Sequence, residues 1–166
     1  MNLEISLRQV NAKSATDLEN THNKLCNSPL FIENLITISN NNSDLIKTNT
    51  WLIKHYITKG NQLSREQVSS FLSLQSILID WESKLHFLQI IPLININRKQ
   101  SEILERFVYS ELKATNKFVK AAAYEAYNEI TKCIPSLARE FFLLCEDALL
   151  TESASVKVKI RRILKQ

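Results

Sequence analysis

Apolar residues along most of this chain recur three and four positions apart, in short runs closed by polar punctuation, and this is the pattern of amphipathic helices. Ser28 stands before Pro29 as a cap residue before a first-turn proline, opening PLFIENLITIS. Asn40, Asn41 and Asn42 make a turn, and Ser43 caps DLIKTNTWLIKHYITK, which ends at Gly60. Ser64 with Gln67 three residues on is a capping box for REQVSSFLSLQSIL. Asp80 caps WESKLHFLQIIPLI, NINRKQ leads into SEILERFVYSELKA, and Asn116 caps KFVKAAAYEAYNEITKCI. Pro135 starts PSLAREFFLLCEDALL, and Ser153 or Ser155 starts the final helix. Residues 15–26 (ATDLENTHNKLC) are expected to be helical on a weaker stripe, and the pattern assigns nothing to residues 1–14.

Short helices joined by short polar turns read as antiparallel hairpins, and these hairpins repeat. In their first helices, an apolar-Lys-x-x-apolar pattern recurs around Lys120 and Lys157 and, with Ser83 in place of the leading apolar residue, around Lys84, at spacings of 36 and 37 residues. Beneath it, Phe87, Ile90 and Ile94 correspond to Ala123, Ala126 and Ile130, and then to Ile160 and Ile163. The second helices keep the same period independently. Val68, Phe71 and Leu72 match Leu104, Phe107 and Val108 at an offset of 36, and these match Phe141, Leu144 and Cys145 at 37. A period in the range of about 20–50 residues marks helical repeats, whose hairpins bury their apolar faces only by stacking on neighbours. Hairpin 43–78 is an altered copy: Trp51 falls near the Phe87 position, but Lys54 and His55 interrupt its stripe.

Composition agrees. One glycine and three prolines in 166 residues leave little for sheet hairpins or phosphate loops, so the fold class expected is all-α, in a single domain. No stretch approaches the roughly 20 apolar residues that span a bilayer, and the beginning MNLEISLRQVNAKS has no apolar signal core, so a cytoplasmic location is expected. Cys26, Cys133 and Cys145 lie in apolar helical patterns and read as small buried side chains in a reducing compartment.

Asn116-Lys117-Phe118-Val119-Lys120-Ala121-Ala122-Ala123 resembles the first-helix signature of HEAT-like, armadillo-type repeats, in which a basic residue after an aliphatic one precedes a small residue. Residues 155–162 look like a second copy, and Asp80-Trp81-Glu82-Ser83-Lys84-Leu85-His86-Phe87 like a degenerate third. The chain also resembles small bacterial HEAT-like proteins without an assigned activity. The resemblance covers residues 43–166 and hardly touches the divergent helical segment at 1–42. It implies a right-handed α-solenoid of stacked antiparallel hairpins, with second helices lining a concave face that binds proteins and sometimes nucleic acids. The period of 36–37 is shorter than the roughly 40–47 of HEAT repeats, so the turns between repeats must be tight. The last helix, with five basic residues among the final ten, suits a C-terminal capping helix.

No catalytic constellation accompanies this pattern. His55 and His86 have no His or Cys at i+3 or i+4, His22 has only Cys26 at i+4 with no third ligand in the pattern, and there is no HExxH, CxxC, Gly-rich phosphate loop or Gly-x-Ser-x-Gly elbow. No metal, cofactor or small-molecule substrate is expected. The recurring Lys84, Lys120 and Lys157 read as a stacking ladder onto acidic or carbonyl groups of the next repeat. The reading is therefore a non-catalytic adaptor that binds a protein or peptide along its second helices. Arg65, Arg98, Glu102, Arg106, Arg139 and Glu146 are candidate contacts, and Trp81, in a first turn, is a partly exposed anchor. The formal charge of +4 supports an alternative, a nucleic-acid-binding module using Lys113, Lys117, Lys120, Lys157, Lys159, Arg161, Arg162 and Lys165. A distant third reading is an alkylated-base glycosylase built on Trp51, Asp80 and Trp81. The role of Asp80 as a helix cap already accounts for its position.

Overall fold

Helices begin where side chains can bond the orphan amides of a first turn. Ser64 Oγ accepts from the amide of Gln67 at 3.2 Å, and Gln67 Oε1 accepts from the amide of Ser64 at 2.8 Å. Asp80 Oδ1 accepts from the amide of Ser83 at 2.8 Å, and Asn116 Oδ1 from those of Phe118 and Val119 at 2.9 and 3.3 Å. At the other end, Gly60 lies at a φ of 93°, a left-handed position that glycine adopts without strain, and closes the helix before it.

The computed structural model describes residues 3–165, and among these the chain is all-helical with no strand. The helices are α1 (Leu3–Arg8), α2 (Ala15–Leu25), α3 (Phe31–Asn41), α4 (Ile46–Thr58), α5 (Arg65–Ser73), α6 (Trp81–Ile90), α7 (Arg98–Glu111), α8 (Lys117–Cys133), α9 (Ala138–Thr151) and α10 (Ala154–Ile163).

Several boundaries differ from those the pattern gives. Helix α3 starts at Phe31, because Pro29 lies in a turn closed by the Phe31 amide donating to the Ser28 carbonyl at 3.1 Å. Ser43 and Pro135 each open a 3₁₀ turn, Ser43–Leu45 and Pro135–Leu137, that runs on into α4 and α9. Helix α7 starts three residues earlier than expected, since Asn97 and Gln100 form a second capping box with both bonds at 2.9 Å. Helix α6 ends at Ile90, so Ile94 lies beyond it and is only half-buried, as is Ile163 at the end of α10.

Two compact units divide the chain, residues 1–87 and 88–166. In the first, α4 packs on α2 and α3, and α3 packs on α5. Its core includes Leu35, Leu52, Ile53 and Phe71, with Phe71 stacked on Phe87 at 4.8 Å. In the second, α8 packs on α7, α9 and α10. The repeated second-helix positions share their burial. Val68, Leu104 and Phe141 are buried, as are Leu72, Val108 and Cys145; at the remaining matched position Phe71 is fully buried, whereas Phe107 and Leu144 are half-buried.

The second capping box gives a direct test. Asn97→Ala is expected to lower stability by about 1 kcal/mol in denaturant unfolding. A helix starting at Ser101 would leave stability unchanged.

Candidate functional site

Helices α3 and α5 pack side by side, and a groove of about 400 Å³ opens between them. It is lined by Glu33, Ile36, Thr37 and Asn40 from α3 and by Glu66, Gln67, Ser70 and Ser73 from α5. Gln67 spans it, donating from Nε2 to Glu33 Oε1 at 2.8 Å. The Glu66 carboxylate accepts from Ser64 Oγ at 2.9 Å, and hydrogen bonding at the helix start holds its pKa below the ordinary range. Neither carboxylate makes an ion pair among the described residues, so the groove offers two anionic groups and several small hydroxyl and amide side chains.

None of the residues expected to contact a partner lines this groove. Arg65 comes nearest, immediately before Glu66 at the start of α5. Arg98, Glu102 and Arg106 are exposed on α7, and Arg139 and Glu146 are exposed on α9. Arg98 is paired with Glu102 at 3.0 Å along the same helix, a surface pair of small energetic value. Exposed Ile103, Phe142 and Leu143 lie among these charges and are not among the expected contacts. Trp81 is 46% exposed, as its first-turn position suggested.

The basic residues of the second unit split into engaged and exposed groups. Lys120 donates to Glu152 Oε1 at 2.7 Å, Lys159 to Glu125 Oε1 at 2.9 Å, and Lys157 to the Leu150 carbonyl at 3.2 Å. Lys113 and Lys117 lie over the rings of Tyr109 and Phe118, each at 5.3 Å. Arg161, Arg162 and Lys165 are exposed on and just after α10. Lys159 and Arg162 also border a second groove of about 330 Å³, shared with Glu125, Glu129 and the turn at Pro92 and Leu93.

The histidines are less isolated than their spacing implies. His22 of α2 and His55 of α4 meet edge to face at 4.7 Å, and His55 stacks on Trp51 at 4.7 Å with an interplanar angle of 11°. They stand 33 positions apart in sequence, so only the packing of α2 on α4 reveals the pair. Asp80 hydrogen-bonds Ser83 with both carboxylate oxygens, which fits its capping role. Among the described residues no group of three His, Cys, Asp or Glu side chains converges as metal ligands would.

The cysteines depart from the uniform burial expected. Cys145 is fully buried, and burial pushes its thiol up to about 12. Cys26 and Cys133 are half-buried, because they close α2 and α8 instead of lying on a core stripe. Cys133 Sγ lies 3.4 Å from the Ile96 carbonyl as donor. A short pulse of iodoacetamide on the native protein at mildly alkaline pH should therefore modify Cys26 and Cys133 well before Cys145. Peptide mass spectrometry reads the order, and equal rates would contradict the burial of Cys145.

A scan against protein-family models and searches of curated proteins and of solved structures each return no match.

Proposed function

We propose that this chain is a non-catalytic adaptor, an α-solenoid of stacked hairpins that holds a protein or peptide segment along its second helices. The observation that carries this reading is the recurrence of side-chain contacts at separations of 32 to 37 residues, close to the sequence period. In the first unit Arg8 bonds Asp44, Thr50 meets His86 at the same separation of 36 residues, and Gln67 bonds Glu33 at 34. In the second, Cys133 bonds Ile96 at 37, Lys159 bonds Glu125 at 34, and Lys120 bonds Glu152 at 32. Side chains that link each hairpin to the next at about one repeat's distance are what stacked repeats require. The Arg8 contact extends the spacing into residues 1–42, where the sequence pattern is weakest.

The groove between α3 and α5 supplies the binding surface. Its Glu33 and Glu66 carboxylates favour a segment carrying lysine or arginine, with Asn40, Ser70 and Ser73 able to bond its backbone. Capture of partners on the tagged protein, with and without nuclease, tests the reading. A protein that survives nuclease and is lost with Glu33→Lys combined with Glu66→Lys is the expected outcome. Recovery that collapses on nuclease treatment would overturn it.

Charge favours one second reading. Residues 88–166 hold thirteen lysines and arginines against nine acidic residues, whereas residues 1–87 hold eight of each, so the whole positive surplus lies in the second unit. A nucleic-acid-binding surface there would use the exposed Arg161, Arg162 and Lys165. With about six phosphate contacts, affinity would fall roughly 10³-fold between about 50 and 200 mM salt. A mixed-charge protein interface responds much less.

A further inference from the structure

All three histidines of the chain, His22, His55 and His86, lie in residues 1–87, and residues 88–166 contain none. Histidine is the side chain whose ordinary titration falls between about pH 5 and 8, so the two units must respond differently to mild acid. His22 and His86 are buried, at 4% and 9% exposure, and the side chain of His55 is 15% exposed.

His22 and His55 face each other, and the Nε2 atom of each is buried without a hydrogen-bond partner. Around His22 stand the rings of Phe31 and Tyr56, at 5.9 and 6.2 Å, and Asn23 Oδ1 lies 3.4 Å from its Nδ1. The charged groups facing His55 are Glu19 on α2 and Lys54 and Lys59 on its own helix. Glu19 Oε1 is 3.8 Å from His55 Nε2, too long for a hydrogen bond, and already accepts from Lys59 at 3.4 Å. His86 on α6 has Nδ1 3.2 Å from Thr50 Oγ1. It faces Lys47 and Lys54 on α4 and Asp80 at the start of its own helix. Lys47 is in turn paired with Glu82 at 2.6 Å.

We propose that the first unit is an acid-sensitive device, in which protons taken up by His55 and His86 below neutral pH open the packing of α2 and α6 on α4 while residues 88–166 keep their fold. Burial, and then the neighbouring His22 and Lys59, push His55 below its ordinary value. Burial, and then Lys54, push His86 down to about 4. A depressed folded value means that the opened chain binds protons the closed chain refuses. The stability contributed by the neutral ring is complete above about pH 6.5 and is lost as the pH falls toward the folded value. For His86 alone, the open-to-closed ratio rises on the order of 20-fold between about pH 7 and 5. Carboxylates titrate mostly below that window, which isolates the histidines as the cause. The groove between α3 and α5 lies in the same unit, so its occupant would be released on acidification. That consequence rests on the proposed function, whereas the opening itself does not.

Hydrogen exchange of the free, full chain at about pH 7 and 5, corrected for intrinsic exchange rates, tests the device without any partner. Peptides from α2, α4 and α6 are expected to lose protection by on the order of 20-fold or more, and peptides from α8 and α10 to keep theirs. Tryptophan emission reports the same event, because Trp51 and Trp81 both lie in residues 1–87. Loss of protection in both units at one pH, or in neither, would overturn the proposal. His86→Gln should flatten the pH dependence of α4 and α6 several-fold, and an unchanged dependence also counts against it. Should that variant fail to fold at about pH 7, the exchange profile of the unaltered chain decides.

Discussion

A helix covered by neighbours on more than one side cannot remain amphipathic in the ordinary way, and both units are organised around one such helix. In the second unit it is α8, against which α7, α9 and α10 pack. Its buried residues run almost around its circumference: Val119, Ala121, Ala122, Ala123, Tyr124, Ala126, Tyr127, Ile130 and Thr131. Four alanines let neighbouring backbones approach closely. The two tyrosines carry the bulk, with the Tyr127 hydroxyl donating to Glu105 at 2.8 Å. In the first unit the corresponding place belongs to α4, and the solution there is polar. Thr48, Asn49 and Thr50 are all buried. Asn49 Nδ2 donates to the Leu35 carbonyl at 3.1 Å and to Ser39 Oγ at 3.0 Å, which ties α4 to α3. Leaving either partner unmet in such a place costs about 1–3 kcal/mol, so the register between these helices is held by chemistry as well as by shape.

The same contrast explains what could be read in the sequence. The all-helical class, the capping box at Ser64, the caps at Asp80 and Asn116, and the stop at Gly60 depend on neighbours within a few residues, and local pattern reveals them. The shared burial of Val68, Leu104 and Phe141 was legible too, because a period of 36–37 residues converts a distant relation into a visible repeat. Pro29 misled because proline fixes the same φ in a turn as in the first turn of a helix. The Asn97 cap has little sequence signal, since NINRKQ holds a single apolar residue, Ile96, and shows no apolar onset. The His22–His55 pair has no local signature at all. Lys54 and His55 looked like breaks in a stripe, but α4 is covered by both α2 and α3, so there is no single stripe to break.

The candidate surfaces were less legible than the fold. A charge list picked Arg98, Glu102, Arg106, Arg139 and Glu146, all of which are exposed, yet exposure is what any solvated helix face gives. The groove between α3 and α5 depends on small side chains, Thr37, Ser70 and Ser73, flanking two carboxylates. Small residues carry little signal in a one-dimensional scan, although they are what creates the space. The recurring lysines show the converse. Lys120 reaches Glu152 and Lys157 reaches the Leu150 carbonyl, so residues that attract attention by repeating are engaged inside the protein.

The two units thus share a spacing while differing in what they bury and in the charge they show. An all-helical fold tolerates this, because each helix needs only an apolar face toward its neighbours and leaves its remaining positions to other demands. Residues 88–166 use that freedom for a positive surplus and an alanine-rich central helix with no histidine. Residues 1–87 balance their charges and place imidazoles, an asparagine and threonines where aliphatic side chains would pack with less cost. Such a polar interior gives little net stability over an apolar one, but it ties the register of its helices to protonation state and to specific hydrogen bonds, such as those of Asn49 and Thr50. A chain selected for stability alone would have no reason to keep Asn49, Thr50 and His86 buried together around α4. Their presence is a physical reason to look for a conformational role in the first unit.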